Sequence, residues 1–272
     1  MPKILILGKG FFGERVQETL GGVIAGRRIR KFSDMQSLLQ TYKPRIVINC
    51  IGHTGANVDG CEKDKDKTLL ANSFVPIMAA EACIRKKIKF VHLSSGCIYH
   101  YDYRRNIPLP ETKTPDFLGL FYSRSKIYSE RALEALSAQY NVLIARPRVP
   151  LDCRPHPKNL LTKLIRYRTI IDLPNSVTYV PDFVRALKHL IQKDARGIFN
   201  IVNKGALRYP ELMGLYNKYV PDSRYQVIPF GTLRLTRTNL LLSTRKLERT
   251  GFVVRHINDI LEECVRGYVT GV

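Results

Sequence analysis

The chain has no Cys-x-x-Cys pair, no His-Glu-x-x-His and no apolar run near the ~18 residues that span a bilayer. Its six cysteines and six histidines are scattered, which argues against a metal site. The first apolar run, Lys3 to Leu7, is too short for a signal-peptide core and ends in glycine. No membrane role is expected, and with no secretory signal the expected setting is cytoplasmic, with reduced thiols. There is no internal repeat, low-complexity segment or basic tail. Acidic residues are few: 23 Asp and Glu stand against 44 Lys and Arg, for a net charge of +21. Such an excess suits polyanions. The basic runs Arg27-Arg28-Ile29-Arg30-Lys31 and Arg85-Lys86-Lys87 are short, however, and lie within α/β elements. No nucleic-acid-binding motif accompanies them, so small polyanionic ligands are favoured over nucleic acid.

What is present is an ordinary globular composition, 44% hydrophobic and 25% charged over 272 residues, enough to bury a large core. Strand-length apolar runs at Lys3–Leu7, Val23–Ala25, Arg45–Cys50, Lys89–Leu93, Val142–Ala145 and Ile198–Val202 alternate with helical patterns. Helices are expected over Glu14–Leu20, Met35–Tyr42, Thr68–Arg85, Tyr122–Ala138, Asn159–Tyr167, Pro181–Gln192, Pro210–Tyr219 and Arg255–Arg266. The alternation predicts an α/β fold, a Rossmann-type doubly wound parallel sheet. Beyond Pro147 the prolines crowd and the pattern loosens. The expected division is residues 1–150 for a dinucleotide-binding domain and 151–272 mainly for a small substrate-binding lobe. A stretch at about 170–202 is expected to return to the sheet.

Two constellations carry chemistry. Gly8-Lys9-Gly10-Phe11-Phe12-Gly13 joins the first strand to the first helix. Glycines there permit a tight turn and let a pyrophosphate approach a helix N-terminus. Phe121-Tyr122-Ser123-Arg124-Ser125-Lys126 places Tyr122 and Lys126 four residues apart, on one face of a helix. An ammonium beside a phenol favours the phenolate and lowers its pKa from about 10. A serine at a nearby strand end, within Ser94-Ser95-Gly96-Cys97, can hold a carbonyl against that phenol. With a bound hydride donor, these groups suit ketone reduction.

At these residues the sequence resembles the extended short-chain dehydrogenases/reductases. More narrowly it is similar to the nucleotide-rhamnose synthase/epimerase-reductases, relatives of dTDP-4-dehydrorhamnose reductase. The resemblance runs through Gly55 to Glu62, Gly96 to Asp102, Pro115 to Ser123, Lys158 to Tyr167, Pro174-Asn175-Ser176 and Arg237-Thr238-Asn239. It implies epimerisation of a nucleotide (expected UDP) 4-keto-6-deoxyhexose at carbons 3 and 5. Reduction at carbon 4 by NADPH or NADH then gives a nucleotide-L-rhamnose. It implies a Ser95–Tyr122–Lys126 triad, with Ser94 as the fallback serine, and Cys97 and Lys163 as the epimerisation acid/base pair. A buried small side chain is the ordinary alternative for Cys97, and a solvated helix lysine for Lys163.

The resemblance places the cofactor against Gly8, Gly10, Phe11, Phe12, Gly13, Cys50, Gly52, Tyr122 and Lys126. It places the sugar nucleotide against Thr54, Asn57, Asn72, Asn159, Asn175 and Arg237, and implies a homodimer. The chain departs from the family in a first glycine turn one residue tighter, a shorter loop after Gly55, and Gly60 in place of a bulky aromatic. No acidic residue follows the second strand to bind a ribose diol, whereas Arg27 and Arg28 do follow it. They suit a 2′-phosphate and favour NADPH. The competing functions are a reductase alone, an epimerase/reductase of a 2-acetamido sugar, and a non-enzymatic regulatory subunit on the same fold.

Overall fold

Strand β1 (Ile4–Leu7) is buried at every position, as its unbroken apolar run requires of a strand covered on both faces. The computed structural model describes residues 3–55, 57–221, 223–232 and 236–271. After β1 come α1 (Phe11–Leu20), β2 (Val23–Ala25), α2 (Phe32–Tyr42) and β3 (Ile46–Asn49). Helix α2 ends at Lys43, in the left-handed region at φ 44°, just before Pro44, which cannot continue a helix. The short α3 (Gly60–Lys63) and α4 (Lys65–Leu69) lead to α5 (Val75–Ile84), then β4 (Lys89–Leu93), α6 (Phe121–Ser137) and β5 (Val142–Arg146).

The helix expected over Thr68–Arg85 is interrupted. Residues Leu70–Phe74 form a π-helical turn between α4 and α5. Pro76 sits in the first turn of α5. It has no N–H for the carbonyl of Asn72, and its ring crowds that carbonyl. The turn widens there, and Asn72 lies in the widened segment.

Beyond β5 the chain forms β6 (Pro150–Leu151), α7 (Leu160–Tyr167), β7 (Thr169–Ile171), β8 (Thr178–Tyr179) and α8 (Val180–Gln192). Strand β9 (Gly197–Asn200) returns to the main sheet, and α9 (Tyr209–Tyr219), β10 (Gln226–Ile228), α10 (Arg245–Glu248) and α11 (Asn258–Thr270) follow. Six strands form a parallel sheet in the order β2-β1-β3-β4-β5-β9. The order reverses between β1 and β3, the switch point where doubly wound sheets bind ligands at their strand C-terminal ends.

Two compact units result. One holds residues 1–98, 114–146 and 187–199; the other holds 99–113, 147–186 and 200–272. The main break falls after Arg146 rather than residue 150. The returning segment is shorter, at 187–199, and 99–113 belongs with the second unit. The latter lacks helix or strand periodicity and is placed by hydrogen bonds: Leu109 bonds the backbone of Leu241 and Ser243, and Glu111 accepts the Asn200 N–H at 2.9 Å. In the first unit Leu5, Leu7, Val47, Phe90 and Ile144 meet α2 and α5 residues in one apolar core. In the second, α7, α9 and α11 pack around Leu161, Leu212, Ile260 and Val265.

Candidate active site

The loops leaving β1, β3 and β4 all emerge at the C-terminal edge of the first unit's sheet. After β1, Gly8 has φ +96°, a conformation L side chains rarely adopt. A Cβ on Gly13 would lie 2.1 Å from the Gly8 carbonyl oxygen, so only glycine fits there. Gly10 begins α1 without a side-chain cap, and no atom lies within 4 Å of where its Cβ would be. A positive helix end with that open approach is what a pyrophosphate needs. Phe11 and Phe12 follow, with ring centroids 5.8 Å apart. Cys50, at the end of β3, lies with its Cβ 3.6 Å from the Gly13 Cβ position. Burial pushes its thiol up to about 12, against the pull of the Lys126 ammonium, so it stays protonated. These residues fit a dinucleotide.

Arg27 and Arg28 are exposed on the loop after β2. Asp34 shapes that loop. Its carboxylate accepts the Arg30 N–H at 2.9 Å and the Lys31 N–H at 3.1 Å and lies 3.3 Å from the Arg27 guanidinium. These contacts hold the carboxyl below the usual carboxylate range. The acid nearest the expected ribose contact thus caps α2 instead.

The triad elements are tied together at β4 and α6. Lys126 is buried, and its ammonium donates to the Leu93 carbonyl at 3.1 Å, two residues before Ser95. Ser123, next to Tyr122, donates to the Cys97 carbonyl at 2.5 Å. The Ser95 hydroxyl accepts the Cys97 N–H at 3.1 Å. Two bonds from α6 thus bracket the segment carrying Ser95 and Cys97, while Tyr122 sits buried in the first turn of that helix. Ser94 is engaged instead with a buried ion pair of α6 and β5. It donates at 2.6 Å to Glu130, whose carboxylate pairs with Arg146 at 2.6 Å, both wholly buried.

Burial lowers Lys126 from its ordinary 10.5 to about 8, although Glu130, Cys50, Cys61 and Cys97 pull the other way. Above pH 8 the ammonium loses its proton, Tyr122 loses the neighbouring charge, and proton donation weakens. We expect kcat/KM for reduction to fall through an apparent pKa near 8, and Lys126→Arg, which stays charged, to remove that limb. A profile flat to pH 9.5 would contradict the assignment. Stability runs oppositely: the folded state holds fewer protons than the unfolded between 8 and 10.5, so stability rises with pH there.

Gly52 lies beside this group; a Cβ there would be 3.6 Å from both the Lys126 ammonium and Asn72. Asn72 is held by the protein's own backbone and side chains. It is wholly buried, accepts the His53 N–H at 2.7 Å, and donates to the His53 carbonyl at 3.0 Å and to Ser125 at 3.1 Å. It clamps the loop after β3 to α6. Thr54 and Asn57 lie on that loop, where Asn57 accepts the Asp59 N–H at 3.1 Å.

Asn159 and Asn175 of the second unit are also framework residues. Asn159 caps α7, accepting the Leu161 N–H at 3.3 Å and donating to the carbonyls of Asp152 and Arg154. Asn175 is wholly buried; its oxygen accepts from Arg148 and the Leu240 N–H, and its nitrogen donates to Tyr209 and Asn239. Lys163 stands half-buried on α7, and Arg237 is half-buried with a bond to the Thr236 carbonyl at 2.7 Å.

Sequence reasoning missed Glu62, Ser123 and Glu130. The last stands one turn beyond Lys126, a spacing visible in the sequence. Among the described residues no His/Cys/Asp/Glu cluster could hold a metal, and no helix is long and apolar enough to cross a membrane. All six cysteines are thiols.

Residues 3–212 match the family model of the RmlD substrate-binding domain. A bifunctional dTDP-4-dehydrorhamnose 3,5-epimerase/dTDP-4-dehydrorhamnose reductase of Arabidopsis thaliana is 32% identical over 202 residues, which is 71% of this chain and 66% of that protein. Trifunctional A. thaliana proteins are matched over 29% to 34% of their length. The crystal structure of the L780 UDP-rhamnose synthase of Acanthamoeba polyphaga mimivirus superposes with a TM-score of 0.88 at 25% identity, covering 98% of this chain and 99% of that one. A dTDP-4-dehydrorhamnose reductase of Bacillus anthracis, in complex with NADP, shares the fold at a TM-score of 0.83 and 21% identity, over 100% of both chains. The chain belongs to the RmlD family, among the extended short-chain dehydrogenases/reductases, which use a nicotinamide cofactor.

Proposed function

We propose that this RmlD-family chain is a nucleotide-sugar 3,5-epimerase/4-ketoreductase, converting UDP-4-keto-6-deoxyglucose to UDP-L-rhamnose with NADPH. The observation that carries it is the pair of bonds, Lys126 to Leu93 and Ser123 to Cys97, that set Ser95, Cys97, Tyr122 and Lys126 at one strand end. The bifunctional relative is named for dTDP sugars, but the chain also matches trifunctional relatives named for UDP sugars and superposes on a UDP-rhamnose synthase, which favours UDP as the nucleotide.

Gly8, Gly10, Gly13 and the first turn of α1 would hold the pyrophosphate, with Phe11, Phe12, Cys50 and Gly52 around it. Bound there, the cofactor supplies a hydride for carbon 4. Ser95 donates a hydrogen bond to the carbon 4 oxygen, and Tyr122 delivers the proton that completes the alcohol. Lys126 favours release of that proton by its charge. Before reduction, the ketone acidifies the hydrogens on carbons 3 and 5. Cys97 and Lys163 take and return those protons; Thr54, Asn57 and Arg237 contact the sugar nucleotide. We place the protein in the cytoplasm, as a homodimer. The test is whether purified protein oxidises NADPH when given UDP-4-keto-6-deoxyglucose; the proposal fails if it does not.

Arg27 and Arg28 supply the preference for NADPH through charge-assisted bonds to its 2′-phosphate. Changing both to Ala is expected to weaken NADPH binding about tenfold or more and to spare NADH. Isothermal titration with the two cofactors decides it; equal losses would make these arginines ordinary surface charge.

A further inference from the structure

Helix α6 begins without a cap of its own. Leu120 stands at its N-cap position and offers no side-chain acceptor. The first N–H of the helix, that of Phe121, instead donates at 2.6 Å to the carboxylate of Glu62, 59 residues earlier in the chain. A carboxylate there meets both an orphan N–H and the positive helix end. The next residue is Tyr122.

Glu62 closes the loop that follows β3, and that loop is tied down at each end. At its start Asn72 holds both backbone groups of His53 and, through Ser125, the same helix α6. Its base is drawn together by the Cys61 thiol, which donates to the His53 carbonyl at 3.4 Å. Gly55, at φ +58°, and Gly60 meet so closely that a Cβ on Gly60 would lie 3.2 Å from the Gly55 Cα. A side chain at Gly60 would press on the Gly55 backbone. The two anchors of the loop on α6, Phe121 and Ser125, lie on either side of Tyr122. The Lys65 ammonium and Arg124 guanidinium lie 5.6 and 5.3 Å from the Phe121 ring centroid.

We propose that Glu62 is a positioning residue: its bond to the Phe121 N–H latches the Thr54–Asn57 loop to the first turn of α6, so the loop's placement sets that of Tyr122. For catalysis this rests on the function proposed above; the latch itself does not. A loop that contacts the sugar nucleotide would thereby fix the proton donor when substrate is seated.

Hydrogen exchange on the ligand-free protein tests the latch without any activity. In Glu62→Ala, amides of 57–61 and of 121–124 should both exchange about tenfold faster than in the wild type. Glu62→Gln keeps an acceptor oxygen and should retain most of the protection in both. Wild-type protection of 121–124 in Glu62→Ala, or identical behaviour of the two variants, overturns the proposal. If the wild type reduces the 4-keto sugar, Glu62→Ala should lower kcat about 10- to 100-fold with NADPH affinity unchanged, and Glu62→Gln should restore it. An unchanged kcat in Glu62→Ala overturns the positioning role. An inactive wild type refutes the function proposed above and leaves the latch to the exchange result.

Discussion

Tyr122→Phe is expected to lower the rate of 4-keto reduction by about 100- to 10,000-fold, the range a positioned general acid contributes. The substitution removes one oxygen and keeps the ring, buried in the first turn of α6. The surrounding structure holds the helix by other groups: Ser123 on the Cys97 carbonyl, Lys126 on the Leu93 carbonyl and Asn72 on Ser125. Stability and NADPH binding should therefore survive, and the loss should appear in kcat. Single-turnover reduction, followed with NADPH titrated to saturation, separates the two. A variant turning over at the wild-type rate would remove Tyr122 from the mechanism and the triad with it.

The second large effect is the loss of epimerisation in a Cys97→Ser, Lys163→Ala double variant. Inverting carbons 3 and 5 requires a proton to leave one face of the ring and another to arrive at the opposite face, so two groups are needed. Cys97 belongs to the loop after β4, with its backbone fixed by Ser95 and Ser123, and is half-buried. Lys163 belongs to α7 of the second unit. A thiol and an amine can each take up and return a proton. In D2O, with no NADPH present, the wild type should place deuterium at carbons 3 and 5 of the 4-keto sugar, and the double variant at neither. The variant should still reduce a keto sugar supplied already epimerised, because Ser95, Tyr122 and Lys126 are untouched. Exchange persisting at both carbons in the double variant would remove Cys97 and Lys163 from epimerisation, and no exchange in the wild type would leave a reductase alone.

How much of this was legible in the sequence depended on where each signal lay. Strands β1, β3, β4 and β5 are buried on both faces, so each reads as a continuous apolar run. The spacing of Tyr122 and Lys126 is local to one helix and carried its meaning alone. The two-residue strands β6 and β8 have no period to read. The π-turn at Leu70–Phe74 hid inside an unbroken helical pattern, though Pro76 marked it. An amide can serve a substrate or a backbone equally, so the sequence does not reveal the internal bonds of Asn72, Asn159 and Asn175. Their partners, His53, Asp152, Arg154 and Leu240, come from loops whose approach no spacing predicts. Glu62 was missed for the same reason, its partner being 59 residues away. Asn159, directly before the apolar pair Leu160-Leu161, did carry the signature of a helix cap.

The central claim is that one chain both epimerises and reduces. It is tested most directly by incubating purified protein with UDP-4-keto-6-deoxyglucose and NADPH in D2O and reading the product by NMR. The expected product is UDP-L-rhamnose carrying deuterium at carbons 3 and 5 and protium, delivered from NADPH, at carbon 4. A reduced sugar of unchanged configuration without deuterium at carbons 3 and 5, or no reduced sugar at all, would contradict it.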